Sequence, residues 1–277
     1  MRVEDRKFSN LISPYDVRDY KFACVSEIVY PDTFDCTAND KVMVAVAVKD
    51  QGSTGSCVAH ACSSIVEFHH KRQKNTDNLF STEFIYGYRP LGYYVGEGMY
   101  LREALKTLQK VGDVPLNTLK GNHECEEAME VVEARLEELK DIAYPFRVST
   151  YVRVNSEHDI KQALMKYGPV LVSMPWAANY KLKNGVYTVE GTATRGNHCV
   201  FIYGWDERGW LVQNSWGRGW GQKGKFVVPF DFKWNEAWLI TDDIIENDDL
   251  VRPEEKWYVR VFHKIINFFV NLYQFLY

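Results

Sequence analysis

The 277-residue sequence has no large excess of one charge, no regular cysteine spacing, no secretory leader pattern and no internal repeat. Its formal net charge of -4 gives no general pull toward nucleic acid or anionic lipid, so a nucleic-acid partner is not expected. One basic run, "HHKRQK" at 69–74, reads as a solvated helix end. The first 22 residues alternate charged and apolar side chains and lack the apolar core of roughly 7 to 15 residues that export signals carry. That absence predicts a cytoplasmic or otherwise reducing compartment. The six cysteines, Cys24, Cys36, Cys57, Cys62, Cys125 and Cys199, are scattered, which argues against a disulfide framework and for buried thiols or a thiol used in chemistry. The uncharged stretch Ile265 to Tyr277 is shorter than the roughly 20 residues a bilayer span needs, so no transmembrane span is expected.

What is present is an ordinary globular composition, 46% hydrophobic and 25% charged, enough for one large or two small domains. Residues 1–40, broken by Pro14 and Pro31, read as an extended arm. "KVMVAVAVKDQG" reads as a β-prone run ending in a turn. Val58, Ala61, Cys62, Ile65 and His69 then repeat at helical steps, placing Cys57 in a first helical turn. Ser81 or Thr82 caps a second helix, "MYLREALKTLQKVGDVP" is an amphipathic helix closed by Gly112 and Pro115, and the acid-rich "CEEAMEVVEARLEELK" is helical. From Pro145 the texture becomes β-rich and glycine-punctuated, interrupted by one helix in "SEHDIKQALMKYG". The expected architecture is α+β with two lobes: an arm (1–40), a helical lobe (41–145), a β-rich lobe (146–245), then an acidic linker and C-terminal helix (246–277). That last helix is strongly amphipathic, with Tyr258, Phe262, Ile265, Phe269, Leu272 and Leu276 on one side. Its occupant is left open between its own domain, a partner helix and a membrane surface.

A cysteine attacks as a thiolate, and its ordinary pKa of about 8.5 must be lowered by a helix N-terminus, a cationic neighbour or both. Cys57 has the first by position. His198, in "RGNHCVFIYGWD", is the candidate for the second, and Asn214, opening "NSWGRGWGQKG", is the candidate to orient the imidazole. Cys36, Cys62, Cys125, Cys199 and Cys24 keep a buried structural reading. "NHEC" at 122–125 has no second ligand pair at zinc spacing, so neither metal nor organic cofactor is expected.

Three ordered blocks carry a family resemblance. They are Gln51, Gly52, Ser53, Gly55, Ser56 and Cys57; Asn197 and His198; and Asn214, Ser215, Trp216, Gly217, Gly219, Trp220, Gly221 and Gly224. The chain resembles papain-like cysteine peptidases of the cathepsin type, and the 141 residues from Cys57 to His198 fall within the roughly 130 to 150 typical of that family. The resemblance implies a papain-like fold, a helical lobe facing a β-barrel-like lobe across an active-site cleft. It also implies an endopeptidase acting on protein or peptide substrates through a thioester. Cys57 would be the nucleophile, His198 the acid and base, Asn214 its orienter, Gln51 an oxyanion donor, and Trp216 a cover over the Asn214–His198 bond. Gly96 and Gly98 would correspond to the turn on which substrate backbone pairs as an added strand.

The sequence departs from the family at three places. Thr54 stands where members usually carry a disulfide cysteine, Val58 where a tryptophan is usual, and barely fifty residues precede Gln51, leaving no room for a helical propeptide. The arm resembles the short arms of prokaryotic and viral relatives. Acyl transfer to an amine, and a non-catalytic binding module within a larger assembly, remain the alternatives on sequence grounds.

Overall fold

Helix α1 (Cys57–Lys74) runs through the centre of the protein, and its first fourteen residues, Cys57 to His70, are all buried. It is rich in small side chains at its start, so neighbouring elements approach it from every side. It ends at Asn75 in the left-handed conformation, φ 52°, with Lys71, Arg72 and Lys74 in the last turn where cations favour the helix dipole. His69 and His70 are buried rather than solvated, because His69 donates from Nε2 to the Ile240 carbonyl at 2.8 Å and His70 packs on Phe80 and Phe146. The expected solvated run therefore begins only at Lys71.

The computed structural model describes residues 5–23, 28–38, 46–89, 96–242 and 250–251. The amphipathic C-terminal helix, Cys24, and most of the apolar run before the Cys57 turn lie outside them. The described part of that run, Val46 to Lys49, is not a strand. Helices α2 (Thr82–Gly87), α3 (Leu101–Lys110), α4 (Cys125–Glu133) and α5 (Leu136–Ala143) complete the helical half. Ser81 caps α2 by accepting from the Phe84 N–H at 3.1 Å, as its position suggested. The acid-rich segment is two helices, broken at Ala134 and Arg135.

The β-rich half comprises β5 (Thr150–Val154), β6 (Val170–Ala177), β7 (Tyr180–Lys183), β8 (Val186–Val189), β9 (Thr194–Asp206), β10 (Gly209–Gln213), β11 (Lys225–Val228) and β12 (Glu236–Thr241). Helix α6 (Glu157–Lys166), capped by Ser156, interrupts them. The arm adds β1 (Asn10–Leu11), β2 (Lys21–Phe22) and β3 (Phe34–Asp35), and β13 (Leu250–Val251) lies beside β2. The sheet order is β13-β2-β5-β12-β6-β9-β10-β11-β8-β7, with β3 on β9. Its ends do not meet among the described residues, so the expected barrel-like lobe is an open sheet. Closure would need the two edge strands to pair. Here one edge is built from the two-residue strands β13 and β2 and the other carries Lys181 and Lys183, both of which discourage pairing.

A second, two-stranded sheet joins β1 to β4 (Met99–Tyr100) in parallel. The arm is anchored downstream by buried charge. Asp19 accepts from Arg102 Nε at 3.0 Å and from Arg153 Nε at 2.9 Å, while Ser13 donates its N–H to Glu236 Oε1 at 3.0 Å.

Candidate active site

Two turns of backbone logic bring the site together. Ser56 precedes α1 without a side-chain cap, and the first turn holds no acidic residue, so the positive end of the helix dipole is left for the Cys57 side chain. On the other wall, β9 and β10 are antiparallel with Phe201 opposite Gln213, which puts His198 and Asn214 at the same end of the pair. His198 Nε2 donates to Asn214 Oδ1 at 2.7 Å. The Ser215 N–H also donates to Asn214 Oδ1, at 2.8 Å, which fixes the amide orientation. The imidazole therefore carries its proton on Nε2 and keeps a lone pair at Nδ1, to which no group among the described residues donates a hydrogen bond.

Cys57 and His198 belong to one site because the Cys57 sulfur lies against the backbone amide of Cys199, the next residue along β9. The sulfur also meets the amides of Ser9 and Val58, all of which favour a thiolate, yet burial outweighs them and pushes the thiol up to about 11. Burial likewise lowers His198 to about 4, against the pull of the Asn214 bond. As the structure stands, the pair is uncharged at neutral pH.

Gln51 is buried and links the two walls. Its N–H donates to the Ser215 carbonyl at 2.9 Å, its Oε1 accepts from Ser215 Oγ at 2.7 Å, and its Nε2 donates to the Thr54 carbonyl at 2.9 Å. The amide has a second N–H, and the Cys57 N–H, at the first helical position, has no intrahelical partner. Both are the kind of donor that stabilises a developing oxyanion. Trp216 is buried with its ring centroid 4.9 Å from that of His198, tilted 35°.

Thr54 occupies its unusual position with a polar cross-link. Its hydroxyl lies 2.7 Å from the Gln51 carbonyl and 3.2 Å from Asn122 Oδ1, and Asn122 Nδ2 donates to the same Gln51 carbonyl at 3.0 Å. His123, beside it, pairs with the buried carboxylate of Glu83 at 2.5 Å, which holds its pKa above the usual value. No group of three or more metal-ligating side chains occurs among the described residues.

Sequence patterns did not reveal Phe8, Arg6 and Trp176. Trp176 lies on β6, whose Met174 is opposite His198. Its ring stands 5.3 Å from His198 and 4.7 Å from Trp216. Phe8 of the arm completes the cluster, 5.9 Å from both His198 and Trp176 and 5.7 Å from Trp216. For Phe8 the available signal was only a lone aromatic residue after the charged run Asp5-Arg6-Lys7, which many surface segments share.

His60, one turn along α1, is buried and donates from Nδ1 to the Ser56 carbonyl at 2.9 Å. Burial lowers its pKa to about 4, aided by the Lys49 charge. The fold thus refuses a proton that the unfolded chain accepts below about 6.5. The stability this contributes is complete above pH 6.5 and is lost as pH falls toward 4. Relative to His60→Asn, the wild-type chain is expected to lose about 2 kcal/mol between pH 7.5 and pH 5. Urea unfolding of both proteins at the two pH values measures this, and a pH-independent difference would contradict it.

The family model described as papain family cysteine protease matches residues 30–236, which include Gln51, Cys57, His198, Asn214 and Trp216. The peptidase C1-like protein L477 of Acanthamoeba polyphaga mimivirus is 27% identical over 292 aligned positions, covering 88% of this chain and 90% of that protein. Ananain of Ananas comosus is 29% identical and covers 67% of this chain, which spans only 52% of ananain's length. Among solved structures, xylellain, a cysteine protease from Xylella fastidiosa, superimposes with a TM-score of 0.71 at 22% identity, over 87% of this chain and 97% of that one. A Carica candamarcensis cysteine protease in complex with E-64 gives 0.59 at 18% identity, over 78% and 100%. With a match that takes in the helix carrying the thiol, the strand carrying the imidazole and the loop carrying the amide, this chain belongs to the papain family of cysteine proteases.

Proposed function

We propose that the protein hydrolyses peptide bonds by nucleophilic catalysis at Cys57. The observation that carries the reading is a thiol at the N-terminus of α1 beside an imidazole whose far nitrogen is held by Asn214 at 2.7 Å. His198 Nδ1 takes the thiol proton, and the thiolate attacks the substrate carbonyl carbon. Negative charge gathers on the carbonyl oxygen, where the Cys57 N–H and the second N–H of Gln51 receive it. The tetrahedral adduct collapses as His198 returns the proton to the leaving amine, leaving a thioester. Water, deprotonated by His198, then releases the acid and restores the thiol. Asn214 keeps the ring from rotating away, and Trp216 keeps that bond dry.

Work in a reducing compartment belongs to the same proposal. It is supported by the free, buried state of Cys36, Cys57, Cys62 and Cys199, and by the hydrogen-bonded link at Thr54. Among the described residues no helix is long and apolar enough to cross a membrane. The test is hydrolysis of a mixed peptide library by the fully reduced chain over many hours, with Cys57→Ala as the blank. Cleavage that disappears with the thiol is expected. A wild-type protein no more active than the blank would remove the reading.

A further inference from the structure

Glu97 and Glu124 take no part in the chemistry above, yet they stand beside the turn that carries Cys57. A Cβ on Gly55, two residues before the nucleophile, would meet Glu97 Oε2 at 2.6 Å and the Tyr86 hydroxyl at 3.0 Å. Because Gly55 has no side chain, this carboxylate comes right up to the backbone of the turn. Its direction is fixed by Tyr86, whose hydroxyl donates to Oε2 at 2.8 Å, and by the Cys125 N–H, which donates to Oε1 at 3.4 Å. Glu124, the residue that precedes α4, lies within hydrogen-bond reach of Glu97.

Two carboxylates this close repel one another, and a cation set between them removes the repulsion. The chain supplies one. Lys7 Nζ lies 2.5 Å from Glu124 Oε2 and 3.5 Å from Glu97 Oε1. Its neighbours hold it there, since the buried Arg6 donates to Asp50 Oδ1 at 2.5 Å and to the Gly52 carbonyl at 2.8 Å, and the Ser9 carbonyl accepts from the Met99 N–H at 3.2 Å. The side chains of Lys7, Glu97 and Glu124 are 41%, 38% and 46% exposed, so another cation can take the place of this ammonium without opening the core.

A residue whose carbonyl carbon meets the Cys57 sulfur has its side chain rooted one bond from that carbon, above the same turn. Gly55 and Cys57 are two residues apart, at most about 7 Å. The flexible four-carbon stem of a lysine covers that distance. A neutral side chain there leaves the two carboxylates facing each other with nothing between them, so the pair selects by repulsion as well as by attraction.

We propose that Glu97 and Glu124 form a cation-accepting subsite that selects a lysine or arginine on the acyl side of the scissile bond, the Lys7 ammonium marking where the substrate's charge sits. The inference deepens the peptidase reading and rests on it for the identity of the substrate.

The experiment uses two peptidyl vinyl sulfones that differ only in having lysine or norleucine next to the sulfone. The rate at which each labels Cys57 in the full, reduced chain is followed by mass spectrometry for wild type, Glu97→Gln, Glu124→Gln, the double glutamine variant and Lys7→Met. The lysine probe is expected to label wild type about tenfold faster than its neutral twin, since an exposed ion pair is typically worth up to about fivefold and here there are two. The ratio should fall to near one in the double variant, fall part of the way in each single variant, and shrink in high salt. Lys7→Met should keep the ratio, because the selectivity lies in the carboxylates. Near-ultraviolet circular dichroism establishes that each variant is folded, and the single variants with the salt dependence carry the test should the double variant not fold. A ratio near one in folded wild type and Lys7→Met, or a ratio that the glutamine variants retain, overturns the inference. So does a Cys57 that takes neither probe in any folded chain, since the pair would then meet no substrate. Lysine-selective labelling with no cleavage of any peptide leaves the subsite standing and removes the peptidase reading. Cleavage that depends on Cys57 but shows no preference for lysine or arginine does the reverse.

Discussion

His198→Ala is expected to lower kcat/KM for a peptide by on the order of 10^4. Two losses combine. Without an imidazolium partner the thiol reverts toward its ordinary pKa of about 8.5 or, where buried, higher, leaving at most a few per cent thiolate at neutral pH. The leaving amine also loses its proton donor, a role typically worth about 10² to 10⁴. The accompanying pH profile separates chemistry from mere disruption. Alkylation of Cys57 is expected to persist well below pH 7, because any opening that admits the reagent also admits water, relieving the burial that holds Cys57 and His198 uncharged and letting the pair ionise. In His198→Ala it should follow a single titration of an ordinary thiol. Identical alkylation profiles would mean that His198 does not ionise Cys57, whatever the effect on turnover.

The second large effect concerns the arm's anchor. Asp19→Ala is expected to destabilise the fold by about 3–5 kcal/mol, the usual result of stranding a buried charge. Asp19 is the carboxylate between Arg102 and Arg153, with side-chain exposures of 7%, 7% and 14%. Both guanidinium groups also pack on the buried Trp238 ring, at 5.8 and 4.3 Å, so neither can turn to solvent without opening the core. Glu236, 3.7 Å from Arg153, offsets only part of the charge. At about 2–4 °C per kcal/mol for a domain near this size, the melting temperature should fall by roughly 10 °C. Asp19→Asn, which keeps the shape and loses the charge, should fall nearly as far. A shift below about 2 °C in both would show that the cluster relaxes into water and does not anchor the arm.

Legibility followed the range of the interaction that fixes each feature. The Cys57 helix start, the Ser81 cap and the strand texture after Pro145 are local, set within a few residues, and composition and spacing reveal them. His198 and Asn214 were readable because two adjacent strands and a short loop carry both. The position of residues 6–9 was not, since it depends on partners at Asp50, Gly98, Glu124, Trp176 and Gly196 that no local pattern connects to the arm. The burial of His69 was hidden for the same reason, as its partner is a carbonyl on β12. Strand β12 itself passed unnoticed, because "EAWLIT" is fully buried and shows no alternation.

The link at Thr54 has a further consequence. A thiol enzyme needs reductant to keep its nucleophile free, and a cystine beside that nucleophile would be exposed to the same reductant. A bridge made of a hydroxyl and an amide has no reduction potential at all. The turn that carries Gln51 and Cys57 therefore holds its shape under any thiol poise, and activity and architecture answer to separate conditions.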